Sequence, residues 1–169
     1  GIENPRVGLV SVGVEDHKGN ELTKEVFTRL KALPINFVGN MEARYALTGD
    51  YDVLVTDGFV GNTLLKSTEG TASMVMKLLK DAILSSTSAK IGALFMKSAF
   101  KKLKHDMDYN TLGGAPFLGI EKVIVKGHGS SNAVAVEAAI KQVAKMAEGN
   151  LPANILQELK KLEAAGANA

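Results

Sequence analysis

The stretch VIVKGHGSSNAVAVEAAI, residues 123–140, contains a short β-branched run, then small and polar residues, then apolar residues at helical spacing. This order predicts a buried strand, a glycine-rich turn and a helix. The first amides of a helix lack intrahelical partners and lie at the positive end of its dipole. Anions bind readily to such amides. The stretch therefore predicts an anion site at the turn.

The turn has the composition of an oxyanion cradle. Its glycines allow the backbone to approach a ligand, and its serines, lysine and histidine supply hydrogen-bond donors and charge. The candidate anion-binding residues are Lys126, Gly127, His128, Gly129, Ser130 and Ser131. Gly129 is expected at a positive φ or where a ligand approaches closely. The alternative interpretation is a glycine turn with serine caps and an incidental surface histidine.

A second buried strand, followed by a glycine turn and a helix, is predicted in DVLVTDGFVGNTLLKSTEG, residues 52–70. Asp57 and Asn62 are expected near the end of the strand, and Lys66 about one helical turn later. A nucleotide P-loop is disfavoured because Lys66 lacks the adjoining glycine that this motif requires. Asp57, Asn62 and Lys66 are expected to face the same crevice as the first turn. The alternatives are a capping carboxylate for Asp57 and a solvated helix face for Lys66.

Gly-Asn dipeptides precede predicted helices at Gly19-Asn20, Gly39-Asn40 and Gly61-Asn62. Asn suits a helix N-cap and Gly permits a sharp turn, so capping is one interpretation. Each dipeptide also follows a predicted strand, and open α/β sheets bind ligands beyond the carboxyl ends of their strands. Asn20 and Gly61 are therefore also candidates for substrate binding.

The segment GGAPFLG, residues 113–119, is predicted to be a flexible loop with an apolar centre. Such a loop suits the closing of a site or the binding of an acyl chain, and Gly113 and Gly114 are candidates for substrate binding. A plain connection is the alternative.

Strand and helix patterns alternate along the chain. Strands are predicted at 6–12, 35–39, 51–57 and 122–126. Helices are predicted at about 20–33, 41–47, 61–84, 88–107, 132–148 and 152–164. Alternation of this kind predicts an α/β fold with a mainly parallel sheet flanked by helices on both faces. We expect a single α/β domain over residues 1–169, with a helical excursion at about 61–110.

Composition excludes several classes of function. A content of 46% hydrophobic and 22% charged residues is typical of a globular protein, and a net charge of +2 gives no broad positive surface for nucleic acid. Without cysteine there is no thiolate zinc site, and the scattered histidines lack metal-ligand spacing. No apolar run approaches the ~20 residues that span a bilayer. The first residue is Gly1, which predicts a fragment.

The stretch SAKIGALFMKSAFKKLKH, residues 88–105, predicts one amphipathic helix with a lysine stripe and a broad apolar face. The stripe comprises Lys90, Lys97, Lys101 and Lys104. Together with Leu94 and Phe95, Lys97 and Lys101 are candidates for contact with an anionic membrane surface. An ordinary packed helix, in the core or in a dimer, is the alternative.

Five blocks in order closely resemble the C-terminal half of bacterial phosphate acyltransferases, the PlsX family of phospholipid synthesis. These blocks are PRVGLVSVGVEDHKGNELTKEVF, NFVGN, DVLVTDGFVGNTLLKSTEG, YNTLGGAPFLGI and VIVKGHGSSNAVAV. The resemblance implies transfer of a fatty acyl group from acyl carrier protein to inorganic phosphate, which gives acyl phosphate. It also implies a fold similar to that of phosphotransacetylases and isocitrate dehydrogenases, a homodimer, and a cytoplasmic location with peripheral membrane contact. No redox or metal cofactor is expected.

In that reaction a phosphate oxygen attacks the thioester carbonyl, so the site must hold a dianion and stabilise an oxyanion. The resemblance and the residue types together assign catalytic roles to Lys66, His128 and Asn62. They assign phosphate binding to the first turn, and substrate binding to Asp57, Gly61, Asn20, Gly113 and Gly114. Two alternatives are a phosphotransacetylase-like enzyme that uses acyl-coenzyme A and a non-catalytic fragment for dimerisation and membrane docking.

Overall fold

The computed structural model describes residues 1–106, 113–129 and 131–164. Two compact units are present, one comprising Gly1–Ala82 and a second that begins at Ile83. The single domain predicted over residues 1–169 stays a prediction. Six helices and five strands form in the described residues, and they confirm the predicted α/β class.

The first unit is built on a parallel three-stranded sheet. Its elements are β1 (Val7–Ser11), α1 (Glu21–Ala32), β2 (Phe37–Glu42), β3 (Val53–Val55) and the start of α2 (Gly58–Leu84). The strand order is β2-β1-β3, and β1 pairs in parallel with both neighbours. Val7, Gly8, Leu9 and Val10 are all buried, so successive side chains on both faces of the central strand are covered. The parallel sheet is confirmed for the strands predicted at 6–12, 35–39 and 51–57, whereas the strand predicted at 122–126 belongs to a separate antiparallel sheet.

Apolar packing between α1 and β2 completes the described core of this unit. Phe27 of α1 is buried, and its ring meets that of Phe37 edge to face with the centroids 5.2 Å apart. Met41 of β2 is fully buried beside Val10 of β1, its Cα partner in the parallel ladder. Burial of such side chains contributes about 1.5–3 kcal/mol each.

The second unit combines helices with a small antiparallel sheet. Its elements are α3 (Thr87–Phe95), α4 (Lys97–Asp106), β4 (Ala115–Phe117), β5 (Ile124–Lys126), α5 (Ala133–Glu148) and α6 (Leu151–Ala164). β4 pairs antiparallel with β5, and α5 packs against β5. The predicted loop at 113–119 thus contains a strand, which forms because Ala115 and Phe117 pair with Lys126 and Ile124.

Two other predicted elements differ from the structure near β2. The strand predicted at 35–39 begins at Phe37 and continues to Glu42, since parallel pairing with β1 extends that far. The helix predicted at 41–47 is accordingly reduced to one 3₁₀ turn, Ala43–Tyr45. Tertiary pairing here overrides a local helical pattern.

Two strands predicted to be buried are partly exposed. Val53 of β3 is 43% exposed, and no second strand pairs with β3 among the described residues. Ile124 of β5 is 50% exposed, and β5 pairs with β4 alone in the described part of the chain. The helix predicted at 88–107 is also divided, because α3 ends at Phe95 and α4 begins at Lys97.

Candidate functional site

The turn after β5 has the predicted order of strand, turn and helix. Lys126 ends β5, and the Ser131 backbone N–H donates to the carbonyl of His128 at 3.0 Å. Asn132 is the N-cap of α5, and its Oδ1 accepts a hydrogen bond from the Ala135 N–H at 3.0 Å. The cap is therefore this asparagine and not a serine. Ser130 lies outside the described residues.

The two glycines of this turn are not required by contacts within the protein. Gly129 does not have a positive φ, so that expectation is wrong, and a Cβ atom there would meet nothing within 4 Å. A Cβ atom on Gly127 would lie 3.6 Å from Ser131 Oγ, an ordinary contact. Close approach of a ligand to this backbone stays a prediction.

An open hollow of about 430 Å³ extends from the turn along α5. The turn end is formed by Gly127, His128 and Ser131. The remainder is lined by apolar side chains, namely Val125, Ala135, Val136, Ala139, Ile140 and Val143. Three of the candidate anion-binding residues thus border an apolar surface.

Gly113 and Gly114 lie where α5 and β5 approach one another. The Gly114 N–H donates to Gln142 Oε1 of α5 at 2.8 Å. Gly113 has φ +93°, and a Cβ atom on Gly114 would lie 2.5 Å from the carbonyl oxygen of Lys126. The backbone conformation therefore favours glycine at position 113, and close packing against β5 favours it at position 114.

Gln142 was missed by reasoning from the sequence. Its position three residues after Ala139 places a polar side chain beside the apolar stripe of α5. That irregularity was the available signal. It did not identify the partner, since Gly114 is 28 residues away.

The turn after β3 is closed by Asp57. Its Oδ1 accepts from the N–H groups of Phe59 and Val60 at 2.8 and 2.9 Å. Asp57 therefore caps α2, as the alternative interpretation proposed. A Cβ atom on Gly61 would lie 2.7 Å from Thr56 Cγ2, so this glycine permits α2 to pack closely on the end of the strand.

Asn62 and Lys66 are four residues apart on α2 and lie on one side of that helix. Both are exposed, and Lys66 Nζ forms an ion pair with Glu69 Oε2 at 2.7 Å. An exposed ion pair of this kind is compatible with a solvated helix face, so the role of Lys66 in a site stays a prediction. Glu69 was not identified from the sequence, although its spacing of three from Lys66 suits an intrahelical pair.

Asn20 caps α1, since its Oδ1 accepts from the Thr23 N–H at 2.9 Å. The other two Gly-Asn dipeptides do not cap helices. Gly39-Asn40 lies inside β2, where Asn40 is buried and donates from Nδ2 to the carbonyl of Glu15 at 2.8 Å. Gly61-Asn62 lies inside α2, which begins at Gly58.

A smaller hollow of about 190 Å³ lies among α1, β1 and β3. Leu9, Val26, Thr56 and Asp57 are among its lining residues. β2 and β3 lie next to β1 at opposite edges of the sheet, so the chain goes from β1 to one edge and then crosses to the other. The carboxyl ends of β1 and β3 therefore form a topological switch point, where α/β sheets bind ligands.

The candidate membrane residues flank the break between α3 and α4. Leu94 is 72% exposed and Phe95 is 84% exposed, while Lys97 and Lys101 are exposed on α4. Because α3 ends at Phe95 and α4 begins at Lys97, Lys90 lies on a different helix from Lys97 and Lys101, and the side chain of Lys104 lies outside those that the structure describes. No helix in the described residues is long and apolar enough to cross a membrane.

The two candidate turns belong to different compact units. Whether they face one crevice, and the roles assigned to their residues, stay predictions. Within the described ranges, no group of three or more His, Asp or Glu side chains is placed to hold a metal ion.

The parallel sheet, its switch point and the glycine-rich turns define an α/β protein of the class that holds ligands at strand ends. A sequence model of the family described as "Fatty acid synthesis protein" matches residues 1–154. The chain belongs to this family, which confirms the resemblance to PlsX-type phosphate acyltransferases.

Individual relatives support the same assignment. The phosphate acyltransferase of Lysinibacillus sphaericus is 48% identical over 163 residues, which are 96% of this chain and 49% of the relative. That of Clostridium acetobutylicum is 49% identical over 162 residues, again 96% of this chain and 49% of the relative. The Clostridioides difficile protein is 46% identical over 161 residues, 95% of this chain and 47% of the relative. The chain spans about half the length of these relatives.

Proposed function

We propose that this chain is part of a phosphate acyltransferase of fatty acid and phospholipid synthesis. The observation that carries the proposal is the turn from Lys126 to Asn132, which joins β5 to the N-terminus of α5 in a member of this family. Helix amides and nearby donors at such a turn suit inorganic phosphate.

In the proposed reaction a phosphate oxygen forms a bond to the acyl carbonyl carbon. The tetrahedral oxyanion then collapses, the carbon–sulfur bond breaks, and the thiolate leaves and takes up the proton that the attacking hydrogenphosphate loses. No nucleophilic side chain is needed for this sequence of steps. The protein's contribution is to hold the dianion in position and to stabilise the oxyanion.

We assign phosphate binding to the turn of residues 126–131, with His128 as a donor to phosphate or to the oxyanion. Lys66 and Asn62 act as further donors from α2, and Lys66 stays oriented by Glu69 when phosphate is absent. Asp57, Gly61, Asn20, Gly113 and Gly114 shape the backbone around the substrates. Their capping and packing contacts are compatible with that role.

The proposed acyl donor is acyl carrier protein carrying a fatty acyl thioester, and the product is acyl phosphate. The complete protein is proposed to be a cytoplasmic homodimer that contacts the inner face of the membrane peripherally. Leu94 and Phe95 support the membrane contact because their apolar side chains are exposed beside lysines.

The test supplies the complete protein with acyl-acyl carrier protein and phosphate and traps acyl phosphate as its hydroxamate. Lys66→Met should lower the rate without lowering Tm, whereas Lys77→Met, an exposed lysine on the same helix, should leave both unchanged. A fully active, equally stable Lys66→Met protein would remove Lys66 from the site.

Turnover of long-chain acyl-coenzyme A without turnover of the carrier-protein thioester would favour a phosphotransacetylase-like enzyme. If the complete protein is active and this chain by itself is not, this chain is a non-catalytic part of the enzyme.

A further inference from the structure

The hollow along α5 has two chemically different ends. Its turn end presents His128, Ser131 and the Gly127 backbone, and the rest of its lining is apolar. Its volume of about 430 Å³ falls within the ~300–1,000 Å³ that is usual for small-molecule sites. A molecule that matches this surface has a polar or anionic head and an apolar tail.

We propose that this hollow holds the fatty acyl chain next to the phosphate turn, and that the small side chain of Ala139 leaves room for long acyl chains. The proposal rests on the proposed function, because acyl phosphate has such an anionic head and apolar tail. The acyl carbonyl lies at the turn, and the hydrocarbon chain extends along α5 over Val136 and Ile140.

The small residues of α5 explain how the hollow stays open. Ala135 and Ala139 are one helical turn apart, and both line it. Val136 and Ile140 flank them and are 49% and 64% exposed, so apolar surface is available to a hydrocarbon chain.

A longer side chain at position 139 should therefore fill part of the hollow. Ala144 provides a matched control, because it lies on the same helix, is exposed, and does not line the hollow. Ala139→Leu and Ala144→Leu add the same atoms to the same helix. A difference in activity or binding between the two variants is therefore due to the hollow, since the change in helix propensity is the same in both.

The experiment measures hydroxamate formation by the complete protein with octanoyl, dodecanoyl and hexadecanoyl donors, together with Tm. Ala139→Leu should lower kcat/KM for the hexadecanoyl donor by about tenfold or more, the scale on which apolar pockets discriminate chain length. The octanoyl donor should retain its kcat/KM, and Ala144→Leu should leave the whole chain-length profile unchanged.

Binding of cis-parinaric acid, a fluorescent long-chain fatty acid, provides a readout independent of turnover. Ala139→Leu should weaken it, and Ala144→Leu should not. An unchanged chain-length profile, or an equal loss for all three donors with a lower Tm, would overturn the proposal; the second result would mean that polypeptide covers the hollow. If the parent protein turns over no donor, the proposed function fails, and an effect of Ala139→Leu on parinaric acid binding still identifies a lipid groove. No binding by the parent would overturn the groove.

Discussion

Arg6 and Asp52 join the segments that lead into β1 and β3. Arg6 Nε lies 2.9 Å from Asp52 Oδ2, its second guanidinium nitrogen lies 3.1 Å from Oδ1, and the Arg6 backbone N–H donates to Oδ2 at 2.8 Å. The side-chain hydrogen bond from Arg6, followed by the backbone one, lowers the pKa of Asp52 from 3.8 to about 2. This carboxylate is therefore held in its charged form by one residue.

Replacing Asp52 with Asn should change how stability depends on pH. Because the folded-state pKa of Asp52 is depressed, its contribution is complete above pH 3.8 and is lost as pH falls through about 2. Asp52→Asn should lower Tm slightly at neutral pH, and its Tm should fall less than that of the parent between pH 4 and pH 2. Thermal melts across this range provide the measurement. Glu25→Gln, which removes an exposed ion pair with Arg29, is the control and should follow the parent curve closely.

Gly61→Ala should destabilise the protein, although alanine is the better helix former by about 1 kcal/mol. The added Cβ atom would lie 2.7 Å from Thr56 Cγ2, which is too close for two carbon atoms, so the threonine side chain or the first turn of α2 would have to shift. In the Thr56→Ser background the methyl group is absent, so the same substitution should stabilise. Urea denaturation of the four proteins of this double-mutant cycle decides the sign. A loss of equal size in both backgrounds would show that the methyl contact is not the cause.

Gln142→Leu should expose the Gly114 amide to faster hydrogen exchange. The substitution removes the acceptor of a half-buried N–H group, which costs about 1–3 kcal/mol. Gln142→Glu retains an acceptor oxygen at the same distance along the side chain, and it should preserve most of the protection. Hydrogen exchange of the Gly114 amide, followed by NMR, distinguishes the leucine variant from the glutamate variant. Equal protection of Gly114 in the leucine and glutamate variants would contradict this role.

Gly129→Val should fold normally and yet raise the phosphate requirement. Beyond the two adjoining residues, no described protein atom lies within 4 Å of the added Cβ, and the backbone φ there is not positive, so Tm should stay close to that of the parent. If phosphate approaches this backbone, the KM for phosphate should rise by about tenfold, equivalent to ~1.4 kcal/mol. Steady-state assays with the complete protein measure this. An unchanged phosphate KM would remove Gly129 from the site.

Changing Leu94 and Phe95 to Asp should abolish binding to anionic vesicles. These side chains are among the most exposed apolar groups described, and exposed lysines follow them on α4. Basic residues near an anionic surface contribute about 1 kcal/mol each, so binding should also weaken as salt is added. Vesicle flotation of the complete protein is the measurement, with neutral vesicles as the control. Equal flotation of parent and variant would leave an ordinary packed helix as the explanation.

Local chemistry made the helices predictable. The bounds of α1 and α5 agree with those expected because Asn20 and Asn132 accept hydrogen bonds from backbone amides three residues later. Capping of this kind depends on neighbours in sequence, so it can be identified without knowledge of the fold. The same locality made the turn before α5 visible as a candidate site, and the five blocks of motifs were sufficient to indicate the family.

Contacts between distant residues decided what the sequence left open. β2 continues to Glu42 because it pairs with β1, and β4 forms because it pairs with β5. Gly114 reaches Gln142 across 28 positions, and Gly8 is adjacent to the Tyr51 ring, which would lie 2.5 Å from an added Cβ. The sequence by itself determined the cap at Asn20, the bounds of α1 and α5 and the family, since these depend on spacing along the chain. Only the tertiary structure decided strand extent, close packing at glycine and the apolar lining beside the turn, because these depend on which distant segments meet.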